Sequence, residues 1–596
     1  MNKPHRLLIL GIDGMDPEIF LYLKEKGAMP NLGAIAEKGN FRFFNTSNPP
    51  QSPVSWTNIA TGCDAGAHGI CDFLHRDPRT YTPELSLFGI EPHKGGMRYI
   101  SRVRMRTVFE DAMKRGISVT LIRWPLTFPA PETVPSNSRM LCGMGVPDLS
   151  GTLGRYLFYT TDEGLLQKDL HGRVVIIRPN NSRVKTELYG PRYRGLTGVK
   201  ESTIEMVLER TDDGLKVNLQ DNELYLRSGE WGPHIMVRFS TGIMGKVTAI
   251  TRMVCIDRGD FPSLFILPLQ IYPKDTSLPI SSPPSFASRL WDAIGPYLTL
   301  GMPEDTNGLK DGLIPDDVFL ALCDDIFSER KRMLEFLLKD FDSGILACVF
   351  DTLDRIQHMF WRQDVNILEN GKEARGVIAD WYMRMDKMVG DVLKSAGEET
   401  TVLILSDHGF TSLDRYVHLN TWLARNGYLA FKNNARSSGP LFENIDWSRT
   451  KAYALGFNSI YINLKGREGK GVVEPADLEF LCDEIIDKLN QWEDNGQRVT
   501  MNVYKSREIY NIKYDSVPDI IVGYNRGYRA SKQTVLGAAP EGVLIEDNNE
   551  HWSGDHCCDP HIVSGVFFGT NIKGLPDNFS VNDFAMLINE WVERQS

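Results

Sequence analysis

Four places in the sequence carry the carboxylate and imidazole side chains that commonly bind divalent metal ions. Three of them combine aspartate with histidine, and the fourth is a single aspartate. Because aspartate oxygens and histidine nitrogens are common zinc ligands, the set is large enough to hold two metal ions. The residues are Asp13, Asp354 with His358, Asp407 with His408, and Asp555 with His556.

The first three of these places follow a short apolar run, at 7–12, 344–350 and 402–405, and Asp555 with His556 precedes another run, at 566–568. Uninterrupted apolar runs of this length are typical of strands that are buried on both faces of a parallel sheet. In such sheets the ligand site lies beyond the carboxyl ends of the strands. Asp354 and His358 are four residues apart, so a helix after the strand would place both on one face. We therefore expect these side chains to share one rim of an α/β sheet.

Ser52 is the candidate nucleophile. Pro49 and Pro50 precede it, and the sequence from Pro53 predicts a helix that Gly62 ends, which places Ser52 at the helix N-cap. The simplest interpretation is that Ser52 only caps the helix. The alternative is that its hydroxyl receives a phosphoryl group, because the free N–H groups and the dipole of a helix N-terminus stabilise anions.

The length of the chain predicts one large domain that carries an insertion. A chain of 596 residues is too long for a single compact core. Between about 151 and 300, apolar and polar residues alternate on both sides of the turn signal Asp213-Gly214, which is typical of β-hairpins. We expect a β-rich cap at 151–300, inserted between two segments of the α/β core at 1–150 and 301–596.

Composition limits the classes of partner and the compartment. The formal net charge of −11 argues against a nucleic-acid-binding surface. No apolar run is long enough to predict a membrane span, and the sequence from Met1 to the first strand leaves no room for a signal peptide. An odd number of cysteines, nine, is typical of a reducing compartment, so we expect a cytoplasmic protein. The sequence indicates no oligomeric state.

Taken together, the motifs resemble the alkaline phosphatase superfamily, and in particular its type I phosphodiesterase/nucleotide pyrophosphatase branch. The resemblance covers most of the chain outside 151–300. It implies an α/β fold with a doubly wound, mostly parallel sheet and helices on both faces, next to the β-rich cap. The motifs that carry it are Ile12-Asp13-Gly14, Ser52-Pro53 with Ala60-Thr61-Gly62, His68-Gly69-Ile70, Asp354 with His358, Ser406-Asp407-His408-Gly409, and Gly554-Asp555-His556.

The resemblance also implies a site with two divalent metal ions, expected to be zinc. One ion would be held by Asp354, His358 and His556, and the other by Asp13, Asp407 and His408. Ser52 would be both a metal ligand and the nucleophile, since coordination to zinc lowers the pKa of a serine hydroxyl.

Two further residues are candidates for substrate binding. Ser55 stands where the nucleotide pyrophosphatases have an asparagine that binds phosphoryl oxygens. Arg355 adjoins the metal-binding motif, with a structural ion pair as the alternative. We interpret Cys557 and Cys558, next to His556, as a buried inert pair rather than as thiolate ligands.

The expected function is hydrolysis of a phosphoester or phosphoanhydride bond through a phosphoserine intermediate on Ser52. The substrate would be a small phosphorylated molecule, and the family branch favours a phosphodiesterase or pyrophosphatase. A phosphomonoesterase, and a phosphotransferase or mutase that uses the same site, are the alternatives. A non-catalytic binding protein ranks last, because the full set of ligands is present.

Overall fold

The computed structural model describes residues 5–93, 96–195, 198–242, 245–275, 278–369, 376–572 and 574–595. The chain forms two compact units. The first consists of Met1–Thr120 and Phe341–Ser596, and the second of Leu121–Asp340. Within the described residues, no helix is both long enough and apolar enough to cross a membrane.

The main sheet of the first unit is built around the apolar runs identified above. Its strands are β1 (Arg6–Ile12), β2 (Phe41–Asn45), β3 (Gly344–Phe350), β4 (Thr401–Leu405), β5 (Gly565–Gly569) and β6 (Phe579–Ser580). They lie in the order β3-β1-β4-β5-β2-β6. Strand β1 pairs in parallel with β3 and β4, whereas β5 is antiparallel to both β4 and β2.

Helices pack around this sheet in two groups. The helices are α1 (Pro17–Glu25), α2 (Pro30–Glu37), α3 (Ser52–Thr61), α4 (Val108–Lys114), α5 (Thr352–Glu369), α6 (Val377–Ala396) and α7 (Phe584–Glu593). Helices α2, α5 and α6 contact one another or β5, and helices α3, α4 and α7 contact one another. Every residue of β3, and every residue of β1 after Arg6, is buried, as expected for strands covered on both faces. The predicted α/β class is therefore confirmed.

The first unit also contains a second hydrophobic core, which the sequence did not predict as a layer of its own. Buried side chains between Val417 and Val563 form it, together with Tyr81. The antiparallel sheet in this region runs in the order Ala452–Ala454, Ser459–Ile462, Ile520–Tyr524 and Thr500–Lys505. The other elements of this region include strands Thr411–Val417, Gly527–Ala530 and Ile545–Asp547 and helices Leu419–Arg425, Leu478–Asn490, Ser506–Ile509 and Lys532–Val535.

The second unit is rich in antiparallel strands, and the alternating pattern at 204–219 does form a β-hairpin. Its inward side chains, among them Met206, Leu208 and Val217, are buried in a common core. The strands from 119 to 340 are Val119–Trp124, Arg139–Cys142, Leu157–Thr160, Arg173–Ile176, Arg183–Gly195, Gly198–Arg210, Gly214–Leu219, Asn222–Arg227, Ile235–Ser240, Lys246–Thr251, Met253–Ile256, Ser263–Ile266, Gln270–Ile271 and Ser281–Ser282. The helices are Ser285–Ile294, Thr306–Lys310 and Asp316–Leu338.

This unit begins before 151 and ends after 300. The helix Asp316–Leu338 belongs to it, because Trp231 Nε1 donates to Val318 O (2.8 Å) and Arg252 Nη1 lies 2.7 Å from Asp325 Oδ2. The division of the chain at 151 and 300, and the role of the segment as a cap, stay predictions.

Candidate active site

All the residues predicted to bind metal lie in the first unit and meet at the carboxyl ends of its parallel strands. Asp13 follows β1, and its N–H donates to Phe350 O at the end of β3 (2.9 Å). The first turns of α5, which follows β3, carry Asp354 and His358. Asp407 and His408 follow β4. The side chains of Asp13, Asp354, His358, Asp407, His408 and His556 are all buried.

One group of ligand atoms consists of Asp13, Asp407 and His408. These atoms lie within 4.8 Å of one another. His408 Nε2 is 3.2 Å from Asp407 Oδ2 and 3.6 Å from Asp13 Oδ1. Trp56 Nε1 donates to Asp13 Oδ2 (3.0 Å), and Gly14 N donates to Asp407 Oδ1 (3.3 Å), so both carboxylates are held in place. The grouping is the one that the family resemblance implied.

A second group forms around Asp354. The ligand atoms of Asp354, His408 and His556 lie within 4.8 Å of one another. His556 Nε2 is 3.7 Å and His358 Nε2 is 3.4 Å from Asp354 Oδ1. The rings of His408 and His556 stack with their centroids 3.6 Å apart. His408 thus belongs to both groups, which places the two candidate metal positions side by side.

The hydrogen bonds of the three histidines determine which ring nitrogen faces the site. Nδ1 of His358 contacts Gly554 O (2.7 Å), Nδ1 of His408 contacts Gly409 O (3.0 Å), and Nδ1 of His556 contacts Pro50 O (2.6 Å). A backbone carbonyl only accepts, so Nδ1 carries the proton in each ring. The lone pair of Nε2 is therefore free to bind a metal ion, as in most histidine metal sites.

The carboxylates show the charge imbalance that a cation would relieve. Among the described residues, both oxygens of Asp354 and Oδ2 of Asp407 are without a hydrogen-bond partner. Arg355 Nη1 nevertheless lies 2.9 Å from Asp354 Oδ2. Burial, followed by the neighbouring carboxylate of Asp354, raises the pKa of Asp407 to about 8. Burial and the charges of Asp407 and Asp354 raise the pKa of Asp13 well above its ordinary value. Buried acids with unsatisfied oxygens beside imidazole nitrogens fit divalent metal ions.

Ser52 lies where the two groups meet. Its Oγ is 3.1 Å from His408 Nε2 and 3.5 Å from Asp13 Oδ1. The predicted capping position is wrong by one residue: Gln51 is the N-cap, because Gln51 O accepts from Ser55 N (2.8 Å), and Ser52 is the first residue of α3. The hydroxyl still lies in the first turn of the helix, at the positive end of its dipole.

The structure places the two candidates for substrate binding differently. Ser55 Oγ lies 2.6 Å from Ser47 Oγ and 3.1 Å from Thr46 Oγ1, and Thr46 Oγ1 donates to Asp407 O (2.7 Å). Ser55 thus supports the loop that carries Asp407. Arg355 forms the ion pair with Asp354 that was its alternative interpretation. A role in substrate binding stays a prediction for both residues.

Several residues that support the site escaped the sequence analysis. The ring of Trp552 packs on His358 at 3.8 Å between centroids, and Trp552 Nε1 donates to Asp555 Oδ2 (2.7 Å). Arg529 also pairs with that carboxylate. Asp555 Oδ1 accepts from the backbone N–H groups of His556 and Cys557, both at 2.8 Å, which fixes the His556 loop. Arg529 lies in no motif, and Trp552 lies two residues before the Gly554-Asp555-His556 motif, where only the fold reveals its contact with His358.

Two neighbouring features have structural roles. His68, in the His-Gly-Ile motif, is buried, and its Nε2 contacts Asn58 Oδ1 (2.7 Å) while its Nδ1 accepts from Ile70 N (3.2 Å). Cys557 and Cys558 are free and buried, and burial raises the pKa of both thiols well above its ordinary value. Neutral buried thiols are poor ligands, which agrees with the interpretation of an inert pair.

Comparison with known proteins identifies the family. The sequence model described as type I phosphodiesterase / nucleotide pyrophosphatase matches residues 7–210 and 312–551. The chain belongs to this family. Its members are phosphodiesterase- and pyrophosphatase-type hydrolases of the alkaline phosphatase superfamily and depend on metal ions. The match includes each predicted site residue except His556.

Two solved structures that match nearly the whole chain have low sequence identity to it. Phosphonoacetate hydrolase from Sinorhizobium meliloti 1021 in complex with phosphonoacetate is 13% identical over 99% of this chain and 96% of that chain, with a TM-score of 0.46. Murine ectonucleotide pyrophosphatase/phosphodiesterase 5 is 10% identical over 99% of this chain and 95% of that chain, with a TM-score of 0.41. No curated protein matches the chain in sequence.

Proposed function

We propose that the protein hydrolyses phosphodiester or phosphoanhydride bonds of small molecules, with Ser52 as the nucleophile at a site for two zinc ions. One observation carries this proposal. Ser52 Oγ lies within 3.1 Å of His408 Nε2 and 3.5 Å of Asp13 Oδ1, at the junction of the two groups of candidate ligands. A hydroxyl held beside two metal positions is placed for in-line attack on a phosphoryl group.

The six buried side chains are the proposed ligands. Asp13, Asp407 and His408 would hold one ion, and Asp354, His358 and His556 the other. A ligand set of imidazole nitrogens and carboxylate oxygens is typical of zinc, whereas magnesium and calcium sites consist mainly of oxygen atoms. Zinc bound at these positions would polarise the phosphoryl oxygens and lower the pKa of the serine hydroxyl.

The chain itself positions the reacting groups. Ser52 Oγ forms the new bond to phosphorus, and the leaving alcohol or phosphate departs with the electron pair of the bond that breaks. Water then releases the phosphoryl group from Ser52. The N-terminus of α3 would direct the positive end of its dipole at the phosphoryl oxygens and so stabilise their negative charge.

Two further parts of the proposal rest on other observations. All the proposed ligands and the nucleophile lie in the first unit, so we assign substrate selection to the β-rich segment 151–300. We also place the protein in the cytoplasm, because all nine cysteines are free.

The test is a hydrolysis assay with three substrates: 4-nitrophenyl phosphate, bis(4-nitrophenyl) phosphate and ATP. Each is assayed with the protein as purified, after chelation, and after zinc is added back. We expect the diester or ATP to be cleaved faster than the monoester, only when metal is present, and Ser52→Ala to reduce kcat by several orders of magnitude. Ser55→Ala, one turn further along the same helix, removes the other serine hydroxyl of this turn, and the covalent intermediate should still form on Ser52.

Each other outcome points to a different function. A preference for the monoester indicates a phosphomonoesterase. Faster transfer to an added alcohol than to water indicates a phosphotransferase. Wild-type turnover in Ser52→Ala contradicts the proposed nucleophile, and zinc binding without cleavage of any substrate contradicts an enzymatic role.

A further inference from the structure

The turn that leads into Ser52 has unusually few backbone donors. Residues 49 and 50 are prolines, which have no N–H, so within this turn only Gln51 can donate from the backbone. Gln51 N donates to Pro49 O (2.9 Å). The side chain of Gln51 is 0% exposed. The contacts of this buried amide therefore help to hold the turn, and the serine that follows it, in position, together with the bond from Ser47 Oγ to Pro49 O (2.6 Å).

That amide uses all its main hydrogen-bonding groups. Gln51 Nε2 donates to Asn458 Oδ1 (2.8 Å) and to Asp72 Oδ2 (3.0 Å), and Gln51 Oε1 accepts from Phe73 N (3.2 Å). Exchanging the oxygen and nitrogen of the amide would set acceptor against acceptor at Asp72 and donor against donor at Phe73. The network thus allows one orientation of the side chain.

Asn458 extends the network to the loop that carries His556. Its Nδ2 donates to Cys557 O (3.2 Å) and to Val522 O (2.8 Å). His556, the neighbour of Cys557, donates from Nδ1 to Pro50 O (2.6 Å), which returns the path to the turn before Ser52. These contacts form a closed circuit, here called the Gln51 ring, that consists of Pro50, Gln51, Asn458, His556 and Cys557.

Asp72 braces this ring from outside. Its Oδ2 accepts from Phe457 N (2.8 Å) and Asn458 N (3.2 Å) as well as from Gln51. A Cβ atom added at Gly456 would lie 2.6 Å from Asp72 Cγ, so the backbone there approaches the carboxylate as closely as glycine permits. The segment around Asn458 is therefore fixed by backbone as well as side-chain contacts.

We propose that Gln51 and Asn458 are positioning residues that fix Ser52 and His556 relative to each other. This inference rests on the function proposed above, in which Ser52 is the nucleophile and His556 is a metal ligand. Ser52 and His556 lie on segments that are far apart in the chain, and the Gln51 ring joins those segments. A displacement of about 1 Å in a reacting group can cost on the order of 100-fold in rate, so the ring has a direct effect on turnover.

The main variants are Asn458→Asp, which has the same shape but loses the Nδ2 donors, and Gln51→Met, which keeps the volume without hydrogen bonds. Asn463→Asp is the matched control. Asn463 is also 0% exposed, and its Nδ2 donates to the carbonyls of Thr450 (2.8 Å) and Trp447 (2.9 Å), outside the ring. Zinc affinity, measured by competition with a chromophoric chelator, is the readout that does not depend on activity.

We expect Asn458→Asp to lower zinc affinity by about 10–100-fold, as for other groups that orient a ligating histidine. We expect Asn458→Asp and Gln51→Met each to lower kcat by about 10–100-fold with KM little changed. The Asn463→Asp variant should keep the zinc affinity and the kcat of the wild type, each measured per folded molecule. If Asn458→Asp and Gln51→Met fold and match the Asn463→Asp control in zinc affinity and kcat, the inference is overturned.

A second comparison separates this inference from the proposed function. In a Ser52→Ala background, adding Gln51→Met should cause no further loss of turnover, because Gln51 acts through the serine. If Ser52→Ala alone keeps wild-type turnover, the proposed function fails, while the zinc affinity of Asn458→Asp still tests the effect of the ring on His556. If Ser52→Ala is inactive and Gln51→Met has wild-type kcat, the positioning role of Gln51 fails alone.

Discussion

The substitution Gly11→Ala should damage the core and the active site together. Gly11 lies in β1, two residues before Asp13. A Cβ atom added there would lie 2.5 Å from Trp56 Cη2 and 2.9 Å from Val349 Cγ2. Both distances are shorter than side-chain atoms tolerate, so the indole must shift. Trp56 is 0% exposed, so a shift of its ring displaces α3 or breaks the bond from Trp56 Nε1 to Asp13 Oδ2.

The two consequences have separate magnitudes. Overpacking of a close-packed core costs about 1–3 kcal/mol of stability. Loss of a hydrogen bond to a buried carboxylate costs about 1.5–3 kcal/mol, if the indole gives way in that direction. Because α3 carries Ser52, either response also moves the proposed nucleophile relative to Asp13. We therefore expect a lower midpoint of thermal unfolding and a lower kcat in the same variant.

Gly33→Ala is the matched control for this prediction. Gly33 lies in α2, and a Cβ atom there would meet Lys24 Cγ at 3.5 Å, an ordinary contact. Alanine is favoured over glycine in a helix by up to about 1 kcal/mol, so this variant should unfold at the same or a higher temperature with unchanged kcat. The assays are differential scanning calorimetry and steady-state kinetics of the zinc-loaded protein. Equal unfolding temperatures and equal kcat for Gly11→Ala and the wild type would refute the packing argument.

Four further predictions address the metal ions, the second unit and the supporting residues. Elemental analysis before any chelation should find two zinc ions per chain, and chelation should lower both activity and the unfolding temperature. Replacing 151–300 by a short linker should leave the zinc count unchanged but change which esters are cleaved; loss of zinc from a folded truncated protein would show that the segment supports the ligands. Replacing Cys557 and Cys558 by serine should retain both zinc ions, whereas loss of one ion would make a thiolate its ligand. Arg529→Met should destabilise the protein by about 3–5 kcal/mol in chemical unfolding, because it removes the cationic partner of the buried Asp555 carboxylate, which keeps only its hydrogen bonds from neutral donors; a change below 1 kcal/mol would contradict this.

The parts of the site that the sequence predicted are those with a local signal. Asp407 and His408 come one residue after an apolar run that forms β4, and Asp13 directly follows β1. Parallel pairing of β1 with β4 then brings the ends of the two strands to the same rim. A strand pattern and the residue after it are sufficient for this inference, and neither depends on distant contacts.

The parts that the sequence did not predict depend on contacts between distant segments. The side chain of Gln51 has no periodic or motif signal, and its role appears only when Asn458 and the His556 loop come together. His408 belongs to both groups of ligands and stacks on His556, and these two histidines are 148 residues apart in the sequence. The N-cap differed by one residue because the first backbone bonds of the helix, from Val54 N and Ser55 N, go to the carbonyl of Gln51.

Trapping of the covalent intermediate tests the central claim most directly. The zinc-loaded protein is mixed briefly with bis(4-nitrophenyl) phosphate or ATP, quenched with acid and digested, and the peptide that contains both Ser52 and Ser55 is fragmented in a mass spectrometer. We expect a phosphoryl group, or its remaining ester, on Ser52. Modification of Ser55, or full turnover with neither serine modified, would contradict the account.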